Sequence, residues 1–246
     1  MIKEIEVFEE LSGVFSPLMP RIFSAFKYKT GSENAWKQVD ENGKILSLMS
    51  AVDGNFTLIS TENTDFDEIR EFISFSGFNS VLSDVPIILA GKNSFSLFKY
   101  CGNEDIINNN FDYLVLDATS TISQYKNFYP LLFYNEQNDF DSWYCDFSKK
   151  IVKNDAKAVA LTIDKIFVSI ATAPMIYKDT AIVSGVFTSS KLRNKGYSKA
   201  TIYKLISELK KENITEIYLW CESSLEEFYI KTGFHKVGNV YIETEL

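Results

Sequence analysis

Histidine is nearly missing from this 246-residue chain, with His235 the single example. A serine or cysteine triad, or a multi-histidine metal site, would have to be built around that one side chain, so neither chemistry is expected, and no metal. Cysteine is scarce too. Cys101, Cys145 and Cys221 are odd in number, scattered and without a C-x-x-C pair. That argues against a disulfide framework and against zinc, and each reads as a small buried apolar residue. Long apolar runs are lacking: no stretch of membrane-spanning length occurs, and Lys3, Glu4 and Glu6 stand where a secretion signal needs apolar residues. No membrane association and a cytoplasmic location are the expectation. Positive charge is in deficit, 25 Lys and Arg against 33 Asp and Glu, for a net charge of −8. Binding a long phosphate track needs a broad basic surface, so no nucleic-acid partner is expected, whereas one small anionic ligand remains compatible.

What is present is an ordinary globular composition, 46% hydrophobic and 24% charged, in a chain long enough for one large domain or two small ones. The pattern changes near the polar stretch Cys101–Asn110, which divides residues 1–110 from 111–246. In the first part, Asn42-Gly43 and Asp53-Gly54 separate three strand-like runs, which predicts an antiparallel meander with two-residue turns. Ser16 and Pro17 look like the N-cap and first position of a helix. In the second part a strand (YLVLDAT) and helical stretches through Phe147 and Ile151 precede three strand candidates, with Asp164-Lys165 as a short turn. A long helix follows, with Ala200, Ile202, Leu205, Ile206 and Leu209 along one face. The chain closes with a strand (EIYLWC), a helix stopped by Gly233, and two strands. Antiparallel strands combined with a strand, helix, strand crossover over 180–221 indicate a mixed α/β sheet. Trp143, Tyr144 and Phe147 fall at helical spacing and read as core, and His235 as an exposed or packed side chain.

One segment departs from the acidic background. Thr188–Ala200, TSSKLRNKGYSKA, gathers Lys191, Arg193 and Lys195 just ahead of Gly196, between a strand and the long helix. The first amides of a helix have no internal partner and the dipole there is positive, so a phosphate suits the place. Gly196 keeps a Cβ out of the way, and Arg193 and Lys195 add charge. A plain basic turn before a helix would give the same six residues, 193–198.

Context extends the motif. Arg193, Gly196 and Ser198 match [QR]-x-x-G-x-[GA] with Ser in the last place, Val186 and Thr188 match a V-x-T strand end, and Tyr229, Gly233 and Phe234 match the "lYeklGF" pattern. Over roughly 111–246 the chain resembles the GNAT superfamily of acyl-CoA-dependent N-acyltransferases. The resemblance implies that Val186, Phe187 and Thr188 offer backbone groups to the pantetheine arm. It implies that Arg193, Asn194, Lys195, Gly196, Tyr197, Ser198 and Lys199 hold the pyrophosphate of coenzyme A, and that Tyr229 is the general acid. Acetyl-CoA is the implied acyl donor and a small-molecule or peptide amine the implied acceptor. Proteins of this kind often pair as homodimers. Glu222 stands where the family often carries Asn, and no general base is assignable beyond Asp146, Glu222 and Glu226 as options. A non-catalytic acyl-CoA-binding or regulatory protein is the alternative, and an aminoacyl transferase of the tandem type a third. Asp65–Val81 echoes the stretch around Tyr229, with Gly77 against Gly233, Phe72 against Phe228 and Ile73 against Tyr229. This suggests a degenerate GNAT-like N-terminal half, against the alternative of two unrelated helices that each end in Gly.

Overall fold

The computed structural model describes residues 1–11, 14–29, 33–87, 91–102, 111–133 and 139–244. Most of the polar stretch used above to divide the halves, residues 103–110, lies outside them. In chain order the elements are β1 (Ile2–Glu4), α1 (Met19–Lys27), β2 (Asn34–Val39), β3 (Ile45–Val52), β4 (Asn55–Ser60), α2 (Phe66–Ser76), β5 (Ser80–Ser83) and β6 (Gly91–Tyr100). Then come β7 (Asp112–Leu116), α3 (Ile122–Leu132), α4 (Phe140–Val152), β8 (Lys157–Ile163), β9 (Ile166–Tyr177), β10 (Thr180–Thr188), α5 (Tyr197–Lys211), β11 (Glu216–Cys221), α6 (Glu226–Ile230) and β12 (Phe234–Thr244). They fall into two compact units. The first is Met1–Phe98 with Trp220–Glu227 and Lys236–Leu246, and the second is Lys99–Leu219 with Phe228–His235.

The first unit orders its strands β1-β2-β3-β4-β5-β12-β6. The expected meander is there: β2, β3 and β4 pair antiparallel in sequence. Asp53 and Gly54 both take positive φ (48° and 73°), the two-residue type I′ connection the sequence suggests. The Asn42-Gly43 turn differs. Asp40 and Lys44 are joined by a backbone hydrogen bond, and Asp40 Oδ1 accepts from the amides of Asn42 and Lys44. The loop is therefore three residues, with only Gly43 left-handed at φ 81°. Helix α1 also starts later than its sequence suggests. Leu18 is the N-cap and Pro20 sits in the first turn, because Ser16 Oγ instead accepts from Leu18 N at 3.2 Å and closes a turn ahead of the helix. The two closing strands predicted are one continuous strand, β12, whose end pairs antiparallel with β5. Met49, Phe56, Leu58, Ile69, Ile73 and Val81 form the core between the sheet and α2. Truncating Ile69 or Ile73 to alanine costs about 2–5 kcal/mol on general grounds.

The second unit orders its strands β11-β10-β9-β8-β7. Asp164 and Lys165 both take positive φ (49° and 64°), as a two-residue turn requires. All five residues expected on the inner face of α5 are buried. Leu116, Tyr125, Phe128, Phe147 and Ile151 form a core to which Trp143 and Tyr144 add partly buried rings, in line with their spacing. His235 is exposed. The cysteines split: Cys221 is buried, and burial first of all pushes its thiol up to about 11. Cys101 and Cys145 are exposed, against expectation. Cys101 lies just past the end of β6, and Cys145 on the outer side of α4.

The internal echo exists in a different register from the one the sequence suggests. In the first unit the meander β2-β3-β4 is followed by α2 and by β5 parallel to β4. In the second the meander β8-β9-β10 is followed by α5 and by β11 parallel to β10. Topologically α2 corresponds to α5, so Asp65–Gly77 does not match the stretch around Tyr229. The equivalent helix mouth is closed in the first unit: Asp65 caps α2, accepting from the amides of Asp67 and Glu68. At the end of β4, Asp84 accepts from Ser60 N (3.1 and 3.2 Å) and Ser60 Oγ (2.8 Å).

Candidate functional site

The site is built on β10. Its parallel pairing with β11 runs from Thr180↔Glu216 to Ile182↔Tyr218, and among the described residues no further pair follows, although β10 continues to Thr188. From Val183 onward β10 therefore has an edge without a ladder partner. Its other edge pairs with β9, but the register shifts twice, between Ile182 and Ser184 and between Ser184 and Phe187. Neither Gly185 nor Val186 forms a ladder pair, as in a β-bulge, which bends the strand and re-aims its backbone groups. Gly185 takes φ 59°. A Cβ there would meet Leu132 Cδ2 at 2.6 Å and Thr172 Oγ1 at 3.1 Å. Thr172 Oγ1 donates to Ser184 O at 2.9 Å and so fixes the bulge from β9.

Beyond Thr188 a one-turn 3-10 segment, Ser190–Leu192, leads into the basic loop. Asn194 is left-handed at φ 63°, and Gly196, the N-cap of α5, at φ 80° with no side chain capping the helix. No protein atom lies within 4 Å of a Cβ built on Gly196, so it is the backbone twist that requires glycine there, more than crowding. The first internal bond of α5 is Ala200 N to Gly196 O. Among the described residues, the amides of Asn194, Lys195, Gly196, Tyr197, Ser198 and Lys199 donate to no protein acceptor. Residues 193–196 are exposed and 197–199 half-buried. The contrast with α2, whose mouth holds its own carboxylate, is direct.

A chain of hydroxyls fastens this loop to the strand. Ser169 Oγ donates to Phe187 O at 3.1 Å and Thr188 Oγ1 donates to Ser169 Oγ at 2.8 Å. The remaining contact, Thr188 Oγ1 to Ser198 Oγ at 2.5 Å, must then take its proton from Ser198, since Thr188 has spent its own. Ser198, which departs from the small apolar residue of the motif, thus ties the first turn of α5 to the end of β10. Arg193 turns back rather than outward: its Nε donates to Thr188 O at 3.3 Å and its guanidinium lies 5.9 Å from the centroid of the Phe187 ring. Tyr197 packs edge-on against Phe111, leaving its amide rather than its ring toward the loop opening. Lys199 lies over Tyr203. Thr188, Arg193 and Ser198 are therefore joined directly. Sequence reading missed Ser169, Thr172 and Gly185; a glycine inside a strand-like run is the one available sign of a bulge.

Tyr229 lies on α6, half-buried, with its ring edge-on to Phe228 and to Phe234 at 5.0 and 5.9 Å. Gly233, at φ 89°, ends the turn after α6. Its carbonyl accepts from Cys101 N, and a Cβ on it would come within 3.0 Å of the Tyr100 ring. Of the carboxylates offered as bases, Glu226 accepts from Ser96 and, at 3.3 Å, from Lys236. These hold it below the usual carboxylate range, Ser96 most of all, which makes it a poor proton acceptor. Asp146 pairs with Lys150 at 2.8 Å. Glu222 is exposed and its carbonyl caps the following 3-10 turn. Among the described residues no cluster of His, Cys, Asp and Glu could hold a metal ion, and no helix is long and apolar enough to cross a membrane.

Residues 133–246 match a family model described as an acetyltransferase (GNAT) domain. A sequence comparison with curated proteins found no match. Several solved structures are alike in fold over nearly the whole chain. A GNAT-family acetyltransferase from Colwellia psychrerythraea shares 11% identity, with all of both chains covered and a TM-score of 0.59. A GCN5-related N-acetyltransferase from Sphaerobacter thermophilus shares 9%, covering 99% of this chain and 95% of that one, at 0.57. A tandem GNAT protein from the clavulanic acid biosynthesis pathway shares 5%, covering 99% and 98%, at 0.60.

Proposed function

We propose, from the premise that residues 133–246 are a GNAT acetyltransferase domain, that this chain transfers an acyl group from acyl-coenzyme A to a primary amine. Acetyl is the acyl group assigned, and the acceptor a small molecule or peptide in the cytoplasm. The observation that carries the reading is the row of six unpartnered amides, Asn194–Lys199, at the mouth of α5 beside the open edge of β10. Helix dipole, amides and the charges of Arg193, Lys195 and Lys199 together suit a pyrophosphate. Val186, Phe187 and Thr188 are assigned to the pantetheine arm, which would extend the strand along its unpaired edge. We assign residues 111–246 as the catalytic domain and 1–110 as a GNAT-like half without its own anion site.

The chemistry needs little more. The neutral amine nitrogen attacks the thioester carbon, and an amide freed by the bulge at Gly185–Val186 stabilises the developing oxyanion. The carbon–sulfur bond breaks, and Tyr229 gives its phenolic proton to the departing thiolate. Phenol and alkyl thiol have similar ordinary pKa values, so the transfer is close to balanced. The proton lost by the attacking nitrogen passes to water, and holding donor and acceptor together supplies much of the rate.

Titration calorimetry with acetyl-CoA tests the binding, with one equivalent per chain expected because the first unit's helix mouth is filled by Asp65. No heat and no thermal stabilisation at millimolar ligand would sink the proposal. Tyr229→Phe tests the acid: turnover should fall by about 10²–10⁴ with cofactor affinity unchanged. Equal turnover removes Tyr229 from the chemistry.

A further inference from the structure

The first unit encloses a guanidinium that has no acidic partner among the described residues. Arg21 lies on α1, and its Nε donates to Thr57 Oγ1 on β4 at 2.9 Å. Among the described residues that is its only hydrogen bond and it forms no ion pair, so its two Nη amines carry up to four N–H groups unused there. The sheet face that Thr57 occupies also carries Leu48, Ile59 and Ser50, all at most 2% exposed, with Ser50 directly opposite Thr57 across the β3–β4 ladder. Loss of hydration lowers the pKa of Arg21, with no neighbouring charge contributing. Arginine nevertheless stays charged at neutral pH, so the cation sits in a largely apolar surround without a counter-charge. Four acids of this unit are engaged elsewhere: Glu4 with Lys29, Glu68 with the terminal amine and Gln38, Asp67 with Arg70, and Asp84 with Ser60. Part of Arg21 keeps access to solvent, which leaves a way in.

We propose that Arg21, Thr57 and Ser50 form a binding site for a small carboxylate. The planar fork of the two Nη amines matches the two oxygens of a carboxylate. Thr57 accepts from Arg21 and so retains its own proton to donate, and Ser50 adds a second hydroxyl donor. One buried cation neutralises one negative charge, which fits a monocarboxylate better than a doubly charged phosphate. The site is independent of coenzyme A binding in the second unit.

The test is thermal unfolding of the full chain in sodium formate, sodium phosphate or sodium chloride at matched ionic strength, for wild type, Arg21→Gln and Thr57→Val. Formate at tenfold its dissociation constant should raise the wild-type melting temperature by about 3 °C or more over chloride. The rise should vanish in Arg21→Gln and shrink in Thr57→Val. Saturation-transfer NMR on the formate proton should show the same ranking, and Thr57→Val carries the test should Arg21→Gln not fold. A formate response no greater than that of chloride, or one equal in wild type and both variants, overturns the site. Stabilisation by phosphate but not formate overturns the carboxylate assignment.

Discussion

Replacing Gly185 by alanine would separate two demands that the bulge in β10 makes on one residue. The first is conformational: φ is 59°, and an L-residue held in the left-handed region costs about 1–2 kcal/mol. The second is steric. The new methyl would lie 2.6 Å from Leu132 Cδ2 and 3.1 Å from Thr172 Oγ1. Leu132 can swing its tip, but Thr172 is held by its bond to Ser184 O, so overpacking should add about 1–3 kcal/mol. The expected total is roughly 2–5 kcal/mol, read by urea unfolding. Repeating the change in a Thr172→Ala background should remove most of the steric part and leave about 1–2 kcal/mol, since the methyl then meets only the mobile tip of Leu132. Acyl transfer should fall in Gly185→Ala, because the backbone groups of Gly185 and Val186 would move. A loss below about 0.5 kcal/mol, or equal losses in both backgrounds, would refute the reasoning.

Two further outcomes are expected. Gly196→Ala meets no atom within 4 Å, so only its φ of 80° is penalised, by about 1 kcal/mol; acyl-CoA affinity measured by calorimetry should drop while the fold survives. Burial pushes the Asp84 carboxyl above its ordinary range in spite of its bonds from Ser60. The folded state then holds that proton more tightly than the unfolded one, so its contribution to stability is complete below the ordinary carboxylate pKa and is lost as pH rises through the elevated value. Asp84→Asn should flatten that fall in stability across the mildly acidic range, and an unchanged pH profile would exclude Asp84 as its source.

Local signals in the sequence fared according to how many forces agreed on them. The inner face of α5 and the turns at Asp53-Gly54 and Asp164-Lys165 were legible because periodicity, turn chemistry and burial all point one way. Ser16 and Pro17 misled because Ser16 also makes a good turn on its own, and Pro20 serves the helix equally well. The divergence of β10 from β11 after Ile182 left no trace, since it is a property of two strands separated by a helix. The internal echo was misaligned because an amphipathic helix ending in glycine is common, whereas the parallel pairing that defines the correspondence appears only when β4 meets β5 and β10 meets β11.

The last strand has an implication for biosynthesis. Lys236–Leu246 belongs to the unit that begins at Met1, and β12 covers the flank of β5. On the ribosome, the part of the chain made first must wait until β12 has been made before its sheet is complete, leaving Ser80–Ser83 with a bare margin until then. A fragment released at residue 110 would keep that margin for good and should aggregate, and a fragment starting at 111 would carry a strand with nothing to join.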